Sequence, residues 1–303
     1  MKEAFRNFNF SAPKLELIEI ANKIIAELQG AGYMLTLRQL YYQLVSRGLM
    51  ANKQTEYKRL GDILNDARLA GLTDWSAMED RTRNLESVNH WDDPSQIIHA
   101  VAEQFRIDKW HNQPNRVEVW VEKDALVGVL EKACRELDVA WFSCRGYTSA
   151  SELYVAGKRL ARYKRGGQNP IIIHLGDHDP SGIDMTRDIE ARVSELGRTP
   201  VEVRRIALNM DQIEQYSPPP NPAKTTDCRY ERYAAEHGDE SWELDALNPA
   251  VIDALITATV EGLRDEDLWQ EAIEEEERHR ETLALASDNW DALAAHIQKK
   301  YGN

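Results

Sequence analysis

Asp177 and Asp179 stand two residues apart, directly after the apolar run 171–175 and Gly176. An extended segment points alternate residues the same way, so the two carboxylates can converge. Oxygen-only ligands of this kind suit Mg²⁺, which takes one or two carboxylates and keeps room for waters and phosphates. Glu122 ends another apolar run, 117–121, and offers a third acid at the carboxyl end of a strand. The alternative is an acidic turn in which one aspartate caps the helix that Pro180 introduces. A second kind of chemistry lies far upstream. Leu37, Leu40, Tyr41, Leu44 and Val45 form an apolar helical stripe. Tyr42 falls roughly 100° outside it, with Arg38 one turn away on the same face. An exposed phenol beside a guanidinium is equipped to attack phosphorus, because arginine holds phosphate bidentately and favours its charged transition state. A surface tyrosine merely stacked by arginine is the alternative.

The elements that must position these groups follow from periodicity and punctuation. Residues 12–31 carry apolar positions at helical spacing and end at Gly30 and Gly32. Thr36 and Gln39 match a capping box and start a helix to about residue 47. A third helix is expected over 56–70, and a strand-like segment over 75–83. Three short helices followed by such a strand suggest a winged helix-turn-helix. Lys58, Arg59 and Arg68 on the third helix are candidate phosphate contacts, as is Arg145 further on, although a solvated helix face is the plainer reading of the helical ones. Residues 94–111 read as a connecting helix. Strands at 117–121, 139–144, 171–175 and 201–208 alternate with helices at 125–137, from 151, and after Pro180, the pattern of a parallel α/β sheet. The expected organisation is thus a DNA-binding segment 1–93, a linker 94–115, an α/β domain 116–248 and an acidic helical extension 249–303. Residues 274–277, four glutamates in a row, read as a solvated helix face.

The 303 residues carry a net charge of −14, but residues 231–303 alone hold 19 Asp+Glu against 6 Lys+Arg. The first three quarters are close to neutral, so the acidic total does not argue against a nucleic-acid partner. The 3 cysteines lack CxxC spacing, which argues against a disulfide framework or zinc site and fits a reducing cytoplasm. No stretch is long and apolar enough for a membrane span, and Met1–Ser11 lacks a signal-peptide plan. No phosphate-binding Gly-x-x-x-x-Gly-Lys-Ser/Thr loop is present.

A glutamate after one strand and Asp-x-Asp after a later one resemble the Toprim domain of topoisomerases, primases and related nucleases. Leu37-Arg38-Gln39-Leu40-Tyr41-Tyr42 is similar to the Arg-x-x-Tyr-Tyr segment of the A subunit of DNA topoisomerase VI, whose relatives include the meiotic double-strand-break transesterase and the short bacterial and phage Mini-A proteins. Val121-Glu122-Lys123, Arg145-Gly146-Tyr147, Gly176-Asp177-His178-Asp179-Pro180-Ser181-Gly182 and Trp242-Glu243-Leu244-Asp245-Ala246-Leu247 follow in the same order. His178, Ser181 and Thr148 depart from frequent family residues, but none removes a group the chemistry needs.

The resemblance implies a winged helix followed by a Toprim domain. It implies Tyr42 as nucleophile, Arg38 as its phosphate partner, and Glu122, Asp177 and Asp179 as Mg²⁺ ligands. The implied activity is type IIB topoisomerase-like transesterification of double-stranded DNA, with Tyr42 linked to the 5′-phosphate. It further implies a homodimer in which Tyr42 of one chain meets the acids of the other, and a separate topoisomerase VI B-like ATPase for any ATP-driven strand passage. Three alternatives stay open: a Toprim nuclease with no covalent step, a DNA-binding or assembly subunit with dormant catalysis, and, more weakly, an Asp-x-Asp phosphatase.

Overall fold

Pro13 opens α1 (Ala12–Gly30), a position where a missing N–H costs a helix nothing. Its buried face runs Leu17, Ile18, Ala21, Ile24, Ile25 and Leu28. The capping box expected at Thr36 is formed, with Gln39 N–H donating to the Thr36 side chain and the Gln39 side chain accepting from Thr36 N–H, and it starts α2 (Leu37–Ser46). In α3 (Gln54–Leu69) Leu60, Ile63, Leu64 and Ala67 point into the shared core. The structure is a computed structural model that describes residues 2–78, 88 and 90–302. The strand expected over 75–83 is not borne out in its described part: Trp75–Ala77 is a 3₁₀ turn capped by Asp74, and Met78 makes a single parallel bridge to Leu35. Its remaining residues lie outside those described.

By packing, the chain falls into two units, Met1–Arg81 with Asn115–Leu263, and Thr82–Pro114 with Arg264–Asn303. The next helix, α4 (Pro94–Gln104), belongs to the second. The first unit continues with β1 (Asn115–Val121), α5 (Val127–Glu136), β2 (Ala140–Ser143), α6 (Ala150–Arg165), β3 (Asn169–Leu175), α7 (Pro180–Gly197) and β4 (Glu202–Ala207). This is the expected strand–helix alternation, and the four strands form one parallel sheet in the order β2-β1-β3-β4. β3 is buried along nearly its whole length, as a strand covered on both faces must be, which explains its unbroken apolar character. Below the sheet, Trp120, Leu153, Leu160, Ile172, Ile189 and Val193 share one cluster. There α6 and α7 cross through Gly157 and Gly197, where a Cβ on Gly157 would meet the Gly197 nitrogen at 2.7 Å.

The chain leaves β1 for β2 on one side and returns to β3 on the other. The crevice between the carboxyl ends of β1 and β3 is therefore a topological switch point, where sheets of this class place ligands. The register aligns Val121 with Leu175, so both strands finish level. Beyond β4 come α8 (Met210–Tyr216), β5 (Asn221–Pro222), α9 (Tyr230–His237) and β6 (Glu240–Ser241), with β5 and β6 a short antiparallel pair. α10 (Pro249–Glu261) closes the unit, burying Ile252, Ile256 and Val260 against α5.

In the second unit α4 packs along α11 (Glu266–Asp288), with α12 (Trp290–Tyr301) following. The solvated-face reading of residues 274–277 holds for three of the four glutamates. Glu276 is buried, because it accepts from Lys109 Nζ at 2.7 Å and Ile107 N at 3.0 Å. Gln113 and Asp265 exchange two further bonds that pin the start of α11.

Candidate active site

The level ends of β1 and β3 bring Glu122 beside the acid loop. Glu122 N donates to Leu175 O, and the Glu122 carboxylate accepts from Asp177 N at 2.9 Å. Burial, then the like charges of Asp177 and Asp179, hold the Glu122 carboxyl up at about 7. Asp177 is almost wholly buried, and desolvation pushes its carboxyl up against the opposing pull of Lys123. One oxygen accepts from Leu244 N at 2.8 Å and the other meets Lys123 Nζ at 2.7 Å. Asp179 is the N-cap of α7, its Oδ1 accepting from Gly182 N at 2.6 Å and Ser181 Oγ at 2.8 Å. The capping role considered from sequence is thus real for Asp179, and it leaves the second oxygen without a hydrogen-bond partner among the described residues. Gly182 must be glycine here, because a Cβ would collide with Asp177 O.

Arg205, in the middle of β4, holds this loop from behind. Its guanidinium donates to the carbonyls of Gly176 (2.9 Å), Asp177 (2.6 Å), Gly182 (3.0 Å) and Leu208 (3.1 Å). Burial lowers it to about 10. A charged residue inside the expected strand 201–208 is the sequence signal that points to it.

On α2 the sequence expectation of an exposed phenol is wrong. Tyr42 is only 6 % exposed. The helix by itself does leave Tyr42 off its apolar stripe, but the turn Leu244–Ala246 packs across that face. Burial, reinforced by Asp245 and opposed by Arg38, pushes the Tyr42 hydroxyl up to about 12. The neighbouring Tyr41 is spoken for: its hydroxyl accepts from Lys53 N at 2.8 Å and lies 3.2 Å from the carbonyls of Ala51 and Lys53. The two rings meet edge-on at 5.3 Å. Among the described residues nothing hydrogen-bonds the Tyr42 hydroxyl, so of the two phenols Tyr42 is the one left available. Arg38 sits 5.6 Å from the Tyr42 ring centroid. It is already held, Nε to Asp245 at 2.7 Å and Nη2 to Glu243 at 3.0 Å.

Glu243 and Asp245 are the chief residues that the sequence reading gave no chemical role. The antiparallel bridge of His178 with Trp242 carries them to the acid loop. They clamp both Arg38 and Lys123, whose ammonium touches Glu243 and lies 3.5 Å from Asp245. Tyr42, Arg38, Glu122, Lys123, Asp177 and Asp179 all line one cavity of about 670 Å³. This cavity is built within a single chain, whereas the resemblance implies a tyrosine meeting a partner's acids.

As placed, no group of three His, Cys, Asp or Glu among the described residues is arranged to hold a metal ion. The donor chemistry nevertheless fits a hard divalent cation. Glu122, Asp177 and Asp179 offer only carboxylate oxygens, and the outward oxygen of Asp177 already carries a stand-in cation, Lys123.

The four expected DNA contacts are not drawn into this cavity. Arg59 pairs with Glu56 at 3.0 Å, and Lys58 is exposed on α3. Arg68 is partly buried and donates to Met78 O. Arg145 pairs with Asp124 and borders a smaller neighbouring cleft shared with Arg38, Glu122 and Lys123. Among the described residues no helix is long and apolar enough to cross a membrane. No family model, curated protein or solved structure matches the chain.

Proposed function

We propose that this chain is a Mg²⁺-dependent DNA transesterase of the topoisomerase VI A type, with its N-terminal helices acting as a winged helix and its sheet as a Toprim domain. The observation that carries the reading is the single cavity in which a tyrosine, an arginine and three strand-end acids meet. Tyr42 gives its hydroxyl proton to solvent, its oxygen bonds to the phosphorus of a backbone phosphate, and the bond from phosphorus to the 3′-oxygen breaks, that oxygen leaving with a proton taken from solvent. The bond energy is retained in the phosphotyrosine for rejoining. Arg38, fixed by Asp245 and Glu243, presents the rest of its guanidinium to the phosphate and favours the Tyr42 phenolate. Glu122, Asp177 and Asp179 would hold Mg²⁺, which supplies Lewis-acid polarisation of the phosphate when bound. A double-strand break takes two chains, one tyrosine per strand, and strand passage driven by ATP takes a separate ATPase subunit.

The test is to incubate the protein with supercoiled DNA and Mg²⁺, denature it, and look for protein on 5′ DNA ends. The wild-type chain forms the adduct and Tyr42→Phe does not. An adduct that persists in Tyr42→Phe sinks the nucleophile assignment. The elevated Tyr42 hydroxyl favours one second reading, hydrolysis by water at the same acids. Cleavage with free, unblocked 5′ ends supports that instead.

A further inference from the structure

The cavity that holds Tyr42 and the acids has a second wall. It is built from two loops, the one joining α2 to α3 and the one that follows the proline run 218–220. Each loop presents one lysine to the cavity, Lys53 and Lys224. Both side chains are exposed, and neither has an ion-pair or hydrogen-bond partner among the described residues. Lys58 is also exposed but lies outside the cavity, and the other cations described are engaged by the protein itself. Lys123 and Arg38 are clamped by Glu243 and Asp245, Arg59 by Glu56, and Arg145 by Asp124.

Their backbones are fixed although their side chains are not. The Tyr41 hydroxyl accepts from Lys53 N and lies against the carbonyls on either side of Asn52. Asn52 Nδ2 donates to Asn221 Oδ1 at 2.7 Å, tying the first loop to the second. Asn221 is paired with Ser241 across β5 and β6, prolines flank it, and Ala223 N donates to Asp239 O. Two cations are thus held on stiff supports at the mouth of a cavity whose floor is acidic. A floor of carboxylates repels DNA, and cations without carboxylate partners at the rim are what would hold a polyanion over it.

We infer that Lys53 and Lys224 form a phosphate subsite that grips the DNA backbone beside the phosphate presented to Tyr42. This rests on the DNA-cleaving reading and extends it from the reacting phosphate to its neighbours. It also assigns a task to Tyr41, Asn52 and Asn221, which hold the two lysines in place and do not touch the reaction.

Equilibrium binding tests it. A fluorescently labelled duplex is titrated with the full chain in EDTA, so that no cleavage intervenes, over a series of KCl concentrations. Each lysine–phosphate contact adds about 0.9 to the slope of log K against log salt. The double variant K53M/K224M is expected to lose about 2 from that slope and about tenfold or more in affinity at moderate salt. K53R/K224R is expected to keep both. A charge-matched control, K14M/K23M, alters two exposed lysines of α1 outside the cavity and is expected to leave the slope unchanged. An unchanged slope in K53M/K224M, or an equal fall in K14M/K23M, overturns the subsite. In either case the Tyr42 adduct can still form, so the functional reading survives. A parent chain that binds no duplex at any salt overturns both.

Discussion

Two pairs of acids in this chain share one spacing and do opposite things. Asp177-x-Asp179 follows a buried parallel strand, and Glu243-x-Asp245 opens a 3₁₀ turn, Glu243 at its cap and Asp245 within it. In the first pair the backbone takes one oxygen from each carboxylate, through Leu244 N and Gly182 N. Of the other two oxygens, that of Asp179 has no hydrogen-bond partner among the described residues and that of Asp177 meets Lys123 Nζ at 2.7 Å. In the second pair the carboxylates are spent on the protein's own cations, Arg38 and Lys123. Spacing alone therefore does not make an acid pair a metal site. What decides is whether the fold supplies amide donors, which leave room for an outside cation, or guanidinium and ammonium groups, which do not. Lys123 stands between the two, touching Asp177 on one side and Glu243 on the other.

Neutralising one member of each pair tests this division most strongly. Asp177→Asn is expected to cut adduct formation by about 1,000-fold while leaving the fold intact. Mixing Asp177→Asn with Tyr42→Phe chains should not restore the adduct, because each Tyr42 shares a cavity with its own acids. Recovery in that mixture would assign the tyrosine to the partner's acids. Asp245→Asn should show itself first in stability. Asp245 is buried beside two cations, and its loss should cost about 2 kcal/mol in urea denaturation, less than a fully buried pair because Arg38 is 44 % exposed. If Asp245→Asn unfolds no more readily than Asp177→Asn, the two pairs are not different in kind.

The pH dependence sharpens the same contrast. The Glu122 carboxyl is raised from 4.5 to about 7, so between these values the metal-free folded state binds the extra proton. Its contribution therefore lowers stability as pH rises from 4.5 to about 7, and is constant above that range. A divalent cation must displace this proton. Its affinity, followed by calorimetry with Mn²⁺, should rise up to about tenfold per pH unit below 7 and then level. A flat profile would remove Glu122 from the ligand set. The smallest effect expected is that of Lys123→Met, which frees the outward oxygen of Asp177. It should tighten Mn²⁺ binding by about tenfold, the gain expected if the ammonium occupies that oxygen about nine-tenths of the time. Unchanged binding would place Lys123 wholly with the second pair.

Much of this is legible in the sequence itself. The Thr36–Gln39 capping box, the strand–helix alternation and the acids after the ends of β1 and β3 are local signals, and local signals survive folding. What periodicity could not show is what covers a face. The helical spacing of α2 leaves Tyr42 outside the apolar stripe, and that remains true of the helix. Only the arrival of Leu244–Ala246 buries it. Glu276 in the second unit sits within an acidic run that reads as solvated, until Ile107 N and Lys109 turn toward it. The roles of Glu243, Asp245 and Arg205 depend on partners distant in sequence, and no window on the chain contains both members of such a pair.

The clamp on Arg38 has a consequence in time. Arg38 and Asp245 are 207 residues apart, and Tyr33 bonds Asp253 across 220. At ordinary translation rates a ribosome needs roughly 10 to 40 seconds to cover the first of those intervals. Throughout it the emerging chain carries α2 with its arginine unclamped and its tyrosine uncovered. Tyr42 is thus made early and covered late, and a nascent or truncated chain lacking residue 245 carries the tyrosine without the turn that buries it or the aspartate that holds Arg38.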